Sequence, residues 1–169
     1  NILNLFYTSK NISSILNDVI PTHMLLCKQA KSSLGKDTIN AVRIIILSMT
    51  TSPEDNMEIE VINEYAQKFL NEWIVNHNFI TVFIFKVLRT LNYFILSKYA
   101  EAYDQITRAK KYVNYATGSY TICEFNFYES LVLCALSTTA ESHTRQEYIR
   151  QIKANQKQMK SWSKSCPEN

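Results

Sequence analysis

Glu124 and Glu129 stand five residues apart in the apolar run TICEFNFYESLVLCALS, and as paired carboxylates they are the first residues to test for acid/base chemistry. General acid/base catalysis needs two such groups on opposite sides of one bound substrate. Five residues of helix turn through about 500°, which puts the two carboxyls on different faces. Carboxylates in so apolar a stretch are read instead as partnered to Lys, Tyr or backbone groups along the seam between two helices. His23 and Cys27, spaced i,i+4, share a helix face and have the donor atoms of a zinc site, but such a site needs further ligands and no second pair lies nearby. They are expected to be a helix-face pair with a core thiol. His77 falls in the turn Asn76-His77-Asn78, and His143, in ESHTRQ, at the end of a polar loop over 137 to 143, neither beside a paired nucleophile. His143 also lacks the surroundings of a histidine-kinase phosphoacceptor, so both are expected to be solvated. Gly35 and Gly118 are the only glycines, which excludes the phosphate-cradling patterns G-x-x-x-x-G-K-[ST] and G-x-G-x-x-G. No catalytic, cofactor-binding or metal-ligating residue is assigned, and no small-molecule substrate is expected.

What must position these residues is a set of helices. The chain has 169 residues, 46% of them hydrophobic, enough for an ordinary core. With 2 Gly and 3 Pro it lacks the residues that tight hairpins favour, so the expected class is all-α. Apolar spacing gives about seven helices. Residues 1 to 8 read as the end of an element. Ser13 to Leu34 reads as a helix with Pro21 near its N-terminal turn and Gly35 as its stop. Asp37 is the expected N-cap of 38 to 50, and the stretch 51 to 54 a stop and new cap for a helix reaching about Val75. From Ile80 onward, Ile84, Val87, Leu91 and Ile95 share a face. The segment Phe79 to Ser97 has the length and hydropathy to raise the question of a membrane span, but Lys86 and Arg89 sit near its middle, where each costs about 3 kcal/mol. A buried helix with no membrane span is expected there. Helices over Tyr99 to Asn114, 120 to 137 and about Thr144 to Lys164 follow.

In the last of these, Tyr148, Ile152, Asn155, Met159 and Trp162 form an inward seam spaced four, three, four, three. Arg150, Lys153, Lys157, Lys160 and Lys164 form a second, basic seam. The net charge of +3 is concentrated here, since residues 141 to 169 hold six Lys/Arg against three Asp/Glu. A row of cations is compatible with phosphate contacts, but the aromatics lie on the inward seam rather than among the cations. A solvated face is the first reading, an acidic partner domain the second, and nucleic acid the last.

Helices joined by short loops suggest antiparallel pairs stacked as an α-solenoid. In YFILSKYAEAYDQITRAKKY, Tyr93, Tyr99, Ala102, Ile106 and Ala109 match the spacing of a tetratricopeptide-type repeat of about 34 residues. Lys86, Arg89 and Thr90 stand where that repeat prefers Trp, Leu and Gly, and Asn114 where it closes on Pro, so the repeat is degenerate. The four cysteines (Cys27, Cys123, Cys134, Cys166) make no C-x-x-C pair and read as reduced thiols of a cytoplasmic protein.

Residues 79 to 169 also resemble a known family. The Tyr-Ala-Glu-Ala turn at 99 to 102, Asn126-Phe127-Tyr128 with Ser130-Leu131, and Asn155-Gln156 through Trp162 to Cys166-Pro167-Glu168-Asn169 carry the resemblance. They are similar to the tetratricopeptide-like helical region of large cyanobacterial and fungal signalling proteins that join a serine/threonine kinase-like domain, an ATPase module, a GAF domain and a histidine kinase. The resemblance implies that 1–169 is a single helical-repeat segment of a longer chain. It further implies a non-catalytic scaffold between an ATPase-type and a sensor kinase domain, in a two-component type of signal transduction. None of the kinase, ATPase or GAF signatures occurs in these residues. The competing expectation is a free-standing helical regulator that binds nucleic acid or an acidic partner through the basic seam.

Overall fold

A computed structural model describes Leu3, Phe6 and residues 11–52 and 54–165. The expected element at 1 to 8, Pro53 and the closing Cys-Pro-Glu-Asn lie outside the described residues or nearly so. The described residues are all-α: seven helices and no strand.

Helix α1 is continuous but mixed, running Ile12–Ser14, then a π-helical stretch Ile15–Val19, then Ile20–Gln29. Asn11 caps it, its Oδ1 accepting from the backbone N–H of Ser13 (3.0 Å) and Ser14 (3.3 Å). Pro21 therefore lies inside a continuous helix rather than at its first turn. Proline has no N–H to offer the carbonyl four residues back and its ring crowds that carbonyl, and the wider π turn sits where that conflict falls.

Helix α2 is Ser33–Thr50 and α3 is Asn56–Val75. Two sequence expectations are corrected here. Gly35 does not end α1 but lies in the first turn of α2, where the Ser32 side chain caps Gly35 N–H at 3.1 Å. Asp37 is likewise helical, while the cap of α3 is Asp55, whose Oδ1 accepts from Glu58 N–H at 2.9 Å. What stops α1 is Lys31 in the left-handed region at φ 52°. Ser32 N–H reaches back to Cys27 O (2.9 Å) and Lys31 N–H to Lys28 O (3.2 Å), the two bonds of a Schellman stop. The same pair recurs after α3, with His77 at φ 55°, and after α4, with Ser97 at φ 58°.

Helix α4 is Phe79–Ile95, α5 is Tyr99–Ala109 continuing as a 3-10 helix Lys110–Ala116, α6 is Thr121–Ser137 and α7 is Ser142–Ser165. His143 is thus in the first turn of α7 rather than in a loop. The unbroken run from Thr81 to Leu88 is buried. The expected single apolar face of α4 is consequently too narrow at its start and too generous at its end, where Ile95 is exposed. No helix among the described residues is long and apolar enough to cross a membrane.

The chain divides into two compact units, 1–88 and 89–169, with the boundary inside α4. In the first, α1 packs on α2 and α2 on α3. The core holds Ile39, Val42, Ile44, Ile45, Ile46 and Trp73, and Trp73 meets Phe85 edge to face with ring centroids 5.5 Å apart. In the second, α5 packs on α6 and α6 on α7 around Ala102, Ile106, Ala109, Val132 and Leu133.

Candidate functional site

The strongest concentration of polar chemistry in the second unit is built around Glu129. Its side chain is buried on α6, and four residues earlier Phe125 is buried on the same side. Lys110, at the start of the 3-10 segment, forms an ion pair with Glu129 Oε1, its own side chain half exposed. From α7, Asn155 Nδ2 donates to Glu129 Oε2 at 2.9 Å and Gln151 Nε2 lies 3.5 Å from the same oxygen. Gln151 Nε2 also donates to Asn155 Oδ1 at 2.9 Å. The carboxylate is therefore held by groups from both neighbouring elements, which is what its burial requires. With both oxygens engaged, this arrangement fixes how α5, α6 and α7 sit on one another.

Glu124, on the same helix, is buried too, but it serves a different neighbourhood. Burial, with Glu124 and then Tyr120 adding negative charge nearby, pushes the Tyr128 phenol from 10 up to about 12. Tyr148 is raised as well, by burial first and then by Tyr103 and Glu147; its ring meets Tyr103 edge to face at 5.9 Å. The two carboxylates thus occupy separate environments, as the five-residue spacing requires.

The sequence-predicted packing residues divide by depth. Ala102, Ile106 and Ala109 are fully buried, while Tyr93, Tyr99, Tyr148, Ile152, Met159 and Trp162 are half-buried. Arg89 donates to Tyr93 Oη through both Nε (3.2 Å) and Nη2 (3.0 Å), and Tyr99 lies 5.6 Å from the Phe94 ring. On α7 the inward seam is deepest at Asn155, a polar residue, because Glu129 is its target. Arg150, Lys153, Lys157, Lys160 and Lys164 are all exposed. A shallow recess of about 350 Å³ lies on this side of α7, lined by Gln146, Ile149, Arg150 and Lys153.

Sequence reasoning missed two residues that shape this unit. Arg145 donates from Nε to Ser137 O (2.9 Å) and from Nη2 to Thr138 O (3.4 Å), closing the end of α6 where carbonyls have no helical partner. Lys110 was hidden because its partner lies 19 positions away on the next helix.

In the first unit, His23 Nδ1 lies 3.0 Å from Val19 O, one turn back on its own helix, and Cys27 Sγ is half-buried. Among the described residues no group of three His, Cys, Asp or Glu is gathered as a metal site would need. His77 is spent on the left-handed stop of α3, its ring edge to face with Phe79 at 5.6 Å.

No family profile, no curated protein and no solved structure matches the chain.

Proposed function

We propose that the chain is a non-catalytic helical scaffold, a tetratricopeptide-like solenoid segment that links an ATPase-type domain to a sensor kinase domain in a cytoplasmic signal-transduction protein. The observation that carries this reading is the use to which the polar groups are put. Glu129, Asn155, Gln151 and Lys110 are consumed in joining consecutive helices, so the most chemically capable cluster acts as a fastener between hairpin arms. Small buried residues at Ala102 and Ala109 support close approach of paired helices, as a tetratricopeptide-type repeat requires. The resemblance of residues 79 to 169 supplies the domain context. In that setting, binding events in flanking domains would pass along the stack as small rigid-body shifts of helix pairs.

The test is the reading frame on either side of the segment. Kinase-like and ATPase motifs upstream with GAF and histidine kinase motifs downstream are expected. A frame that opens near Asn1 and closes near Asn169 overturns the proposal.

The second reading is a helical regulator that binds nucleic acid through Arg150 to Lys164, favoured by the exposure of all five cations on one side of α7. It predicts a steep fall of DNA or RNA affinity with salt, and loss of that affinity when Lys153, Lys157 and Lys160 are changed to Glu.

A further inference from the structure

Acidic and basic charge are concentrated in two separate segments of the chain. Residues 54 to 72 hold six carboxylates (Glu54, Asp55, Glu58, Glu60, Glu64, Glu72) against Lys68, and all six are exposed. On α3, Glu58, Glu60 and Glu72 flank a solvent-facing seam that runs Met57, Val61, Glu64, Lys68, Asn71, Val75 at four- and three-residue spacing. Met57, Val61 and Val75 are 75, 61 and 74% exposed, which is unusual for apolar side chains spaced along one helix face. The seam is the back of the face that buries Ile62, Ala66 and Trp73.

Helix α7 offers the complement. Its basic seam is the back of the face that seats Asn155 on Glu129, and beside Arg150 and Lys153 lies the recess bordered by apolar Ile149, itself 41% exposed. None of the α3 carboxylates or α7 cations named here forms an ion pair among the described residues. The elements also agree in length: α3 has 20 residues, about 30 Å, and α7 has 24, about 36 Å. An acidic helix carrying apolar knobs and a basic helix with a recess are what a helix-on-helix contact with electrostatic register requires.

We propose that α3 of one copy docks on α7 of a second copy of this chain, Met57 or Val61 entering the recess at Ile149 and the α3 carboxylates facing Arg150, Lys153, Lys157 and Lys160. Because the two patches are different surfaces of the same molecule, α3 of one copy meets α7 of another rather than its own counterpart. One helix face on each side is a small interface, so the association is weak and salt-sensitive. The inference rests on the reading of the chain as an interaction module and names its partner as a second copy.

Sedimentation velocity of the whole 169-residue chain over a concentration series tests it. The expected result is a weight-average sedimentation coefficient that rises with concentration at about 50 mM salt, with the apparent dissociation constant weakened about tenfold or more at about 500 mM. Lys153→Glu/Lys157→Glu/Lys160→Glu and Glu58→Lys/Glu60→Lys/Glu64→Lys, all at exposed positions, each abolish the rise. Mixing the two variants restores it, because each then supplies the charge the other needs. A chain that stays monomeric throughout overturns the self-docking inference and leaves the scaffold reading to the reading-frame test. Self-association that survives both charge reversals overturns it as well. A monomer that binds a single-stranded oligonucleotide, losing it in the Lys→Glu variant, overturns it in favour of nucleic acid. A monomer that instead binds a glutamate-rich peptide on α7 gives the surface to a foreign acidic partner.

Discussion

At the scale of single residues, Glu129 decides more than any other polar group in the second unit. Replacing it with Ala strands the Asn155 and Gln151 amides at a buried seam, and the expected loss is about 3 kcal/mol of unfolding free energy in urea titration. Glu129→Leu combined with Asn155→Leu removes donor and acceptor together, since Lys110 is half exposed and returns to water. The double variant should therefore recover about half or more of the loss, and a cycle that is merely additive would show that the hydrogen bond does not couple α6 to α7. Tyr128 makes a pH prediction. Its folded pKa of about 12 lies above the unfolded value of 10, so the folded state keeps the proton that the unfolded state gives up. Stability from this group is complete below pH 10 and is lost progressively as pH rises toward 12, by less than the full shift implies because the phenol is partly solvated and its charge is screened. The urea midpoint of the wild type should fall relative to that of Tyr128→Phe between pH 9 and pH 11.5, because only the wild type must keep a phenol protonated or bury its anion; parallel curves would remove Tyr128 as a contributor.

At the scale of elements, the way helices stop is the most instructive feature. Three stops place a non-glycine residue in the left-handed region, at Lys31, His77 and Ser97, each costing about 1 kcal/mol relative to glycine. Lys31→Gly and Ser97→Gly are both exposed and should each raise stability by about 0.5 to 1 kcal/mol in chemical denaturation. A loss in either would mean that its side chain contributes to the turn. These stops also explain what the sequence concealed. Periodicity revealed the helices themselves, and in α7 both seams, because burial on one face leaves a repeating mark. The polar cluster Asn76-His77-Asn78 likewise marked a turn that the structure contains. Periodicity misplaced the α1–α2 junction because Gly35 looks like a terminator, whereas the true terminator is a lysine whose backbone angle no residue type announces. Gly35 has another reason to be glycine: a Cβ there would fall 2.6 Å from Cys27 Sγ and 3.0 Å from Ser32 Oγ, so it permits the close return of α2 against the end of α1. The candidate site was legible in part for the same reason. The exposed basic seam follows from spacing, while the Lys110–Glu129 pair depends on how α5 lies on α6, which spacing along one helix does not encode.

At the scale of the whole molecule, the contacts of the described helices run mainly between neighbours in sequence within each unit, and this has an energetic consequence. In stacked helical arrays stability is a sum of local terms and nearest-neighbour interfaces, so damage stays near its origin. Ile44 in α2 and Leu133 in α6 are both at most 2% exposed, and truncation of either to Ala should cost about 2 to 5 kcal/mol. The effect should be local in each case. Native-state hydrogen exchange of Ile44→Ala should accelerate first in the amides of residues 12–75, and that of Leu133→Ala first in residues 99–165. Exchange that quickens evenly across both ranges in both variants would mean that the 169 residues open as one cooperative body. That outcome would also count against the scaffold mechanism, because a segment that passes small shifts from one helix pair to the next must have interfaces that yield one at a time.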